Sequence, residues 1–251
     1  MVRLIVAAAL ATALTTIGLA QAPRPLPDRA AFFKATQDNL ARAQREQGRY
    51  AYKERRTELH TNPFGRIGTD GILVYDVKPG PEAGVSSRTL LEKDGKKVTD
   101  ARPERQEPRQ RRQSASSMDD VVSTLNFVMD RRETRDGRDL IVVMFAAKPD
   151  ARPETREGRL AKIFTGSIFV DETAREVGRV EGTAIDSMSY GLGMIARLNE
   201  GTRVTLVREP VEGGIWLPTS IRLAGEGRAI VFRKLNVDFA IDWYDYKLAK
   251  N

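Results

Sequence analysis

The chain has 251 residues, 41 Lys and Arg against 34 Asp and Glu, a net charge of +7, one histidine and no cysteine. A chain of this length can bury a sizeable core, and without cysteine its stability has to come from packing and not from a disulfide framework. A zinc centre of His and Cys is excluded. The remaining candidates for chemistry (carboxylates, serines, lysines, tyrosines) show no recognisable spacing, so no catalytic residue, metal or cofactor is expected.

Met1-Val2-Arg3 is a short positive start, Leu4 to Leu19 is free of charge, and Gly18-Leu19-Ala20 supplies small residues. This is the layout of a secretory signal peptide cleaved after Ala20. The apolar run is short for a membrane span, which needs ~20 residues. Arg3 is the only charged residue in the removed part, so the net charge falls from +7 to +6. Residues 1–20 are therefore expected as signal peptide, 21–27, with three prolines, as a leader, and 28–251 as one domain in the periplasm.

Asp28 can cap a helix running to about Gln47, in which Ala30, Phe33, Leu40 and Ala43 lie near one stripe that docks on a sheet. Tyr50 to Leu59 is the first strand, with one wet face. His60 follows in a turn, where a lone histidine is a surface residue. Gly71 to Val77 is a strand, and Asp94-Gly95 joins Arg88–Lys93 to Lys96–Val98 as a hairpin.

Residues 100–113 hold Arg102, Arg105, Arg109, Arg111 and Arg112. Nucleic acid is not expected as the partner, because the chain is exported and no aromatic residue interleaves for base stacking. Two readings remain open: a solvated loop or ragged helix, which Pro103 and Pro108 keep from being continuous, or attraction to anionic lipid headgroups at about 1 kcal/mol per charge. Ser117 to Leu125 starts a short helical turn in which Asp119 and Asp120 are expected as caps.

Phe127–Arg135 and Arg138–Ala147 form a hairpin around Asp136-Gly137. Its second arm is apolar on both faces, so something is expected over each. A charged connection, Pro149 to Lys162, leads to the best-patterned hairpin. There Phe164, Gly166, Ile168 and Val170 alternate with Thr165, Ser167, Phe169 and Asp171, and a polar turn at Glu172–Arg175 leads back to Asp186. Ser187 to Leu198 is apolar without clean alternation and is expected as a loop or short helix. It could plug the core or cover the opening of a curved sheet. Thr202–Glu209, Ile215–Leu223 and Arg228–Phe239 finish the strands, with turns at Gly213-Gly214 and Gly225-Glu226-Gly227. The aromatic cluster in Ile241–Tyr246 is expected to pack an edge.

The fold class is mainly β (α+β): a long curved antiparallel sheet, with an N-terminal helix and short helices packed inside the curve. The motifs Gly166-Ser-Ile-Phe-Val-Asp171, Arg179-Val-Glu-Gly182, Ser189-Tyr-Gly-Leu-Gly193, Gly213-Gly-Ile-Trp-Leu-Pro-Thr219 and Tyr244-Asp-Tyr246, in this order, resemble the periplasmic lipoprotein-carrier superfamily of outer-membrane lipoprotein-sorting proteins (LolA/LolB-like). The resemblance covers residues 30–247 as topology. It implies that the sheet forms an open half barrel, its helices covering a concave apolar face that holds lipid or lipoprotein acyl chains, with a membrane-bound envelope protein as a further candidate partner, and a monomer. The alternative is a protein-interaction or envelope-stress sensor module on the same half barrel. No stretch matches a lipid-handling motif residue for residue, so the candidate lining is read from apolar pattern alone: Phe33, Leu40, Met188, Tyr190, Leu192, Met194, Ile195 and Trp216.

Overall fold

The computed structural model describes residues 24–57, 60–61, 67–68, 71–80, 82, 85–106, 111–190, 196–228 and 234–249. In chain order the elements are α1 (Arg29–Glu46) and a 3-10 turn (Gln47–Arg49), then β1 (Tyr50–Thr57), β2 (His60–Thr61), β3 (Ile67–Gly68), β4 (Ile72–Pro79), β5 (Ser86–Lys93), β6 (Lys96–Lys97) and β7 (Glu104–Gln106). Helix α2 (Arg111–Thr124) leads into β8 (Leu125–Arg135) and β9 (Arg138–Ala147), and α3 (Arg156–Lys162) into β10 (Phe164–Asp171) and β11 (Val177–Ala184). A ribbon of β12 (Met188–Tyr190) and β13 (Ala196–Leu198) precedes β14 (Arg203–Pro210), β15 (Trp216–Arg228) and β16 (Lys234–Leu248).

Twelve strands form one antiparallel sheet in the order β6-β5-β4-β1-β16-β15-β14-β11-β10-β9-β8, with β7 on β5. The ends of this order do not pair with each other, so the half barrel is open. Register shifts at Ala51/Lys53, Val74/Tyr75, Met129/Arg131, Phe169/Val170 and Val207/Arg208 are the kind of bulge that increases twist and bends a wide sheet.

Local chemistry explains the element ends. Asp28 caps α1 by accepting from the Ala31 N–H at 2.8 Å. Asp94-Gly95 and Asp136-Gly137 both take positive φ, as a two-residue hairpin loop requires. Gly166 is needed for a different reason. A Cβ there would sit 1.9 Å from the Glu181 carbonyl oxygen of the paired strand. Gly166→Ala is therefore expected to push β10 from β11 and cost about 1–3 kcal/mol, read as a lower urea midpoint at unchanged m-value.

The helices share one face of the sheet, the inner face. Phe32 of α1 packs with Ile141, Val143, Val170 and Val177, while Val121 of α2 and Leu160 of α3 pack with Leu125, Phe145, Phe164 and Ala184. At its far end α1 sets Ala43 against Tyr50 and Leu217.

Several expectations need correction. Residues 104–106, inside the arginine-rich segment, form a strand paired with β5. Asp120 lies within α2 and does not cap it. It instead accepts from the Thr155 N–H and hydroxyl at 2.8 and 2.6 Å, tying α2 to the start of α3. Residues 156–162 of the charged connection are helical, and 188–190 and 196–198 are strands. Gly225–Gly227 lie inside β15, paired with Val237–Leu235. The aromatic cluster of β16 sits mid-sheet between β1 and β15, not at an edge. The outer face of β9 is covered at Val142, fully buried opposite Phe169, and bare only further along at Met144, which is 39% exposed.

Candidate ligand-binding face

Directly paired residues share a face, so the register traces the inner face strand by strand. Ile168 pairs Val180, which pairs Leu206, then Ile221, Ile241, Arg56 and Leu73. A parallel row runs Gly166, Gly182, Val204, Leu223 and Phe239. At the β8–β11 end these rows lie under the helices. From β14 to β16 the floor residues Val204, Leu206, Ile221, Leu223, Phe239 and Ile241 are only half-buried. The outer face of the same strands is polar, with Thr205, Ser220, Arg222 and Asp242.

The β12–β13 ribbon lies against β15, and Leu198 reaches the cluster around Phe164 and Ala184. It therefore stands at the border between the helix-covered and the open part of the inner face.

Beyond Ile241 the floor turns polar. Glu54 pairs Trp243 on one side and Tyr75 on the other. The Glu54 carboxylate accepts from Arg88 Nη2 at 2.6 Å and Trp243 Nε1 at 3.2 Å, and Arg56 Nη1 stands 3.5 Å from it. The Arg88 guanidinium lies over the Tyr75 ring at 3.5 Å and that of Arg56 over Phe239 at 5.8 Å. Next to this group, burial raises the Tyr52 phenol above its usual pKa, with the Glu54 charge adding to it and Arg88 opposing. Burial raises Tyr246 as well, and its hydroxyl donates to the Pro218 carbonyl at 2.6 Å. Both phenols stay protonated donors at neutral pH.

A cavity of about 410 Å³ opens where the end of β14 meets β16, lined by Glu209, Glu212, Asp242, Trp243, Asp245 and Tyr246 among others. Arg222 pairs Asp242 and Lys53 pairs Asp245. This lining is mixed, with four carboxylates beside Pro210, Val211, Trp243 and two tyrosines, and differs from the apolar pocket with few polar groups expected of a lipid site. No group of three or more His, Cys, Asp or Glu able to hold a metal occurs among the described residues.

Of the candidate residues, Phe33 and Leu40 pack from α1 onto the core cluster beneath it, so they belong to helix docking. Met188 is half-buried at the start of β12. Tyr190 pairs Ala196 across the ribbon. Leu192, Met194 and Ile195 lie outside the described residues. Trp216 is buried near Gly178 and under the Arg138 guanidinium at 5.4 Å. Arg138 shares the outer face with Asp171, its ion-pair partner at 3.5 Å, so Trp216 is not brought together with the others. The reading of the sequence missed the floor of β14–β16 and the Glu54–Arg56–Arg88–Trp243 group. The floor had a signal, since Val204/Leu206, Ile221/Leu223 and Phe239/Ile241 each alternate with polar neighbours. The polar group had none, because β1 and β16 come from opposite ends of the chain.

No family model and no curated relative matches the chain. It is similar to solved structures that include a DUF1329 family protein from Desulfovibrio piger, at 15% identity and TM-score 0.35, covering 86% of this chain and 92% of that one. A LolA superfamily protein from Nitrosomonas europaea matches at 15% identity and TM-score 0.33, covering 86% and 94%. The Mycobacterium tuberculosis lipoprotein LppX matches at 9% identity and TM-score 0.32, covering 89% and 99%. The second carries the name of the superfamily that the sequence motifs resemble. At these scores the matches carry no weight for what the chain binds.

Proposed function

We propose that this protein is an exported, non-catalytic carrier or binder of an apolar ligand, a lipid or a lipoprotein acyl chain, held on the inner face of the half barrel in the periplasm. The observation that supports this most is the apolar row Leu206–Ile221–Ile241, half-buried beyond the part of the face that α1, α2 and α3 cover. Each methylene moved from water to such a surface gains about 0.8 kcal/mol. A chain that buries ten of them gains about 8 kcal/mol, and the cost of association, at least about 4 kcal/mol, is subtracted from that. Weak, reversible binding results, which suits a carrier that has to release its load.

The test is native mass spectrometry of gently purified protein, with uptake of the neutral fluorescent probe N-phenyl-1-naphthylamine. A co-purifying lipid or acylated peptide and saturable probe uptake are expected. Ile221→Asp places a charge in mid-floor and is expected to weaken uptake at least tenfold with the fold intact by circular dichroism. A clean apo mass together with no uptake sinks the reading.

A second reading, a protein-interaction module, is favoured by the β8 edge. Among the described strands β8 pairs with β9 alone, and Val128 (49% exposed) stands opposite Met144 on the outer face. Such an edge can accept another strand. Absence of any apolar ligand would leave this edge as the functional surface.

A further inference from the structure

The inner face is apolar as far as Ile241 and then carries two guanidinium groups. Among the described side chains, these two meet a single carboxylate, that of Glu54. The three groups do not cancel: two cations and one anion leave one positive charge. Arg88 is committed to Glu54, and its Nε is buried without an acceptor. Arg56 differs. Its nearest nitrogen is 3.5 Å from the carboxylate, beyond a good hydrogen bond, and its side chain is 30% exposed. It follows Ile241 directly in the register row and stacks on Phe239 of the neighbouring row. One guanidinium thus stands at the end of an apolar floor, over the Phe239 ring and on a side chain partly open to solvent.

We infer that the site takes an amphiphile with an anionic headgroup, its chain along Leu206, Ile221 and Ile241 and its head at Arg56, with Arg88 and Trp243 holding Glu54 away from that head. This rests on the proposed function and adds the charge class of its ligand. A neutral or cationic head would leave the excess positive charge uncompensated beside a partly desolvated site. A phosphate or carboxylate can take two parallel N–H donors from one guanidinium. Glu54 is needed in the same account, because without it both cations would repel each other in the floor. Trp243 donates to its second oxygen and keeps it turned to Arg88.

The test is displacement of N-phenyl-1-naphthylamine from the full chain at 0.15 M salt, roughly physiological, with dodecyl phosphate and dodecanol below their aggregation limits. Dodecyl phosphate is expected to displace the probe at a concentration at least tenfold lower than dodecanol. In Arg56→Gln that ratio falls towards one while dodecanol potency is kept. Arg56→Lys keeps a smaller preference, because a point charge remains without the fork. Arg222→Gln removes an equal charge from the outer face, where Arg222 pairs Asp242, and leaves the ratio unchanged. Inorganic phosphate alone does not displace the probe. Equal potency of the two amphiphiles, or a ratio that survives Arg56→Gln, overturns the headgroup site while leaving the apolar floor standing. Displacement by inorganic phosphate alone would mean a plain anion site and overturns it too. A chain that takes up no probe fails the underlying apolar-face reading, and this inference falls with it.

Discussion

Arg208→Ala is expected to lose about 3–5 kcal/mol of unfolding free energy, the usual cost of breaking a buried ion pair by removing one partner. Arg208 is 7% exposed and Glu176 is 2% exposed, 3.6 Å apart. Arg208 also donates to the Val177 and Trp216 carbonyls at 3.1 and 2.6 Å, so it bridges β11 and β15 across β14. Glu176 takes a second cation, Arg42 of α1, at 3.3 Å. The same α1 surface donates through Asn39 to the Ala174 and Arg175 carbonyls. Truncating Arg208 therefore leaves two carbonyls without their donor and a buried carboxylate held by Arg42 alone.

The loss should depend on pH. Burial already raises the Glu176 pKa from its ordinary value, with Arg208 and Arg42 opposing that rise. Removing Arg208 removes the larger opposing charge and raises the folded pKa further, so between the unfolded and folded pKa values the folded variant binds more protons than the unfolded chain. Where the folded state binds more protons, stability rises as pH falls. The deficit of Arg208→Ala should thus shrink from pH 7 towards the ordinary carboxyl range and grow as pH rises through the folded pKa of Glu176. Urea unfolding at several pH values measures this. Glu176→Leu combined with Arg208→Met should recover at least half of the loss, since replacing both partners by apolar groups removes the stranded charge. A single-variant loss below about 1 kcal/mol, or a deficit that deepens on acidification, would show that the pair is not buried as described.

The difference between what the sequence disclosed and what it hid follows contact distance along the chain. The hairpins at Asp94-Gly95, Asp136-Gly137 and Glu172–Arg175 were legible because turn chemistry and alternation are local. The capped start of α1 was legible for the same reason. The pairing of β1 with β16 joins Tyr50 to Leu248 and has no local signal, which is why Tyr244 and Tyr246 were read as an edge and the Glu54–Trp243 contact was not seen. Gly225 and Gly227 were read as a turn because glycine usually punctuates. Here Gly225 sits in β15 where a Cβ would come 2.5 Å from the Thr202 hydroxyl, a close approach that only the folded strand creates. Trp216 drew attention as a large aromatic residue between turn signals. Its face depends on the register of β14 with β15, which carries a shift between Val207 and Arg208, and one residue of shift reverses every face. The open floor was half legible: alternation marked which residues point together, but not which part of the face the helices leave uncovered.

Helix α1 carries the second large effect, at a residue beside the expected stripe. Of the stripe Ala30, Phe33, Leu40 and Ala43, the last three pack inward and Ala30 is exposed, but the fully buried positions are Phe32, Thr36 and Ala43. Phe32, 2% exposed, enters the cluster of Ile141, Val143, Val170 and Val177, and the Arg175 guanidinium lies over its ring at 4.7 Å. Phe33 lies beside it at 6.3 Å, edge to face, half-buried and covered by Arg29 at 5.6 Å. Phe32→Ala should therefore cost about 3–5 kcal/mol, as for other fully buried aromatic side chains, and Phe33→Ala less than half as much. The larger loss should come with faster amide exchange along α1, since Phe32 is its deepest anchor on the sheet while Ala43 holds only the far end against Tyr50 and Leu217. Urea midpoints and hydrogen exchange of the two variants test the assignment. If Phe33→Ala proves the more damaging change, the helix is rotated by about one residue from the orientation described, and Phe33 rather than Phe32 enters the cluster of Ile141, Val143, Val170 and Val177.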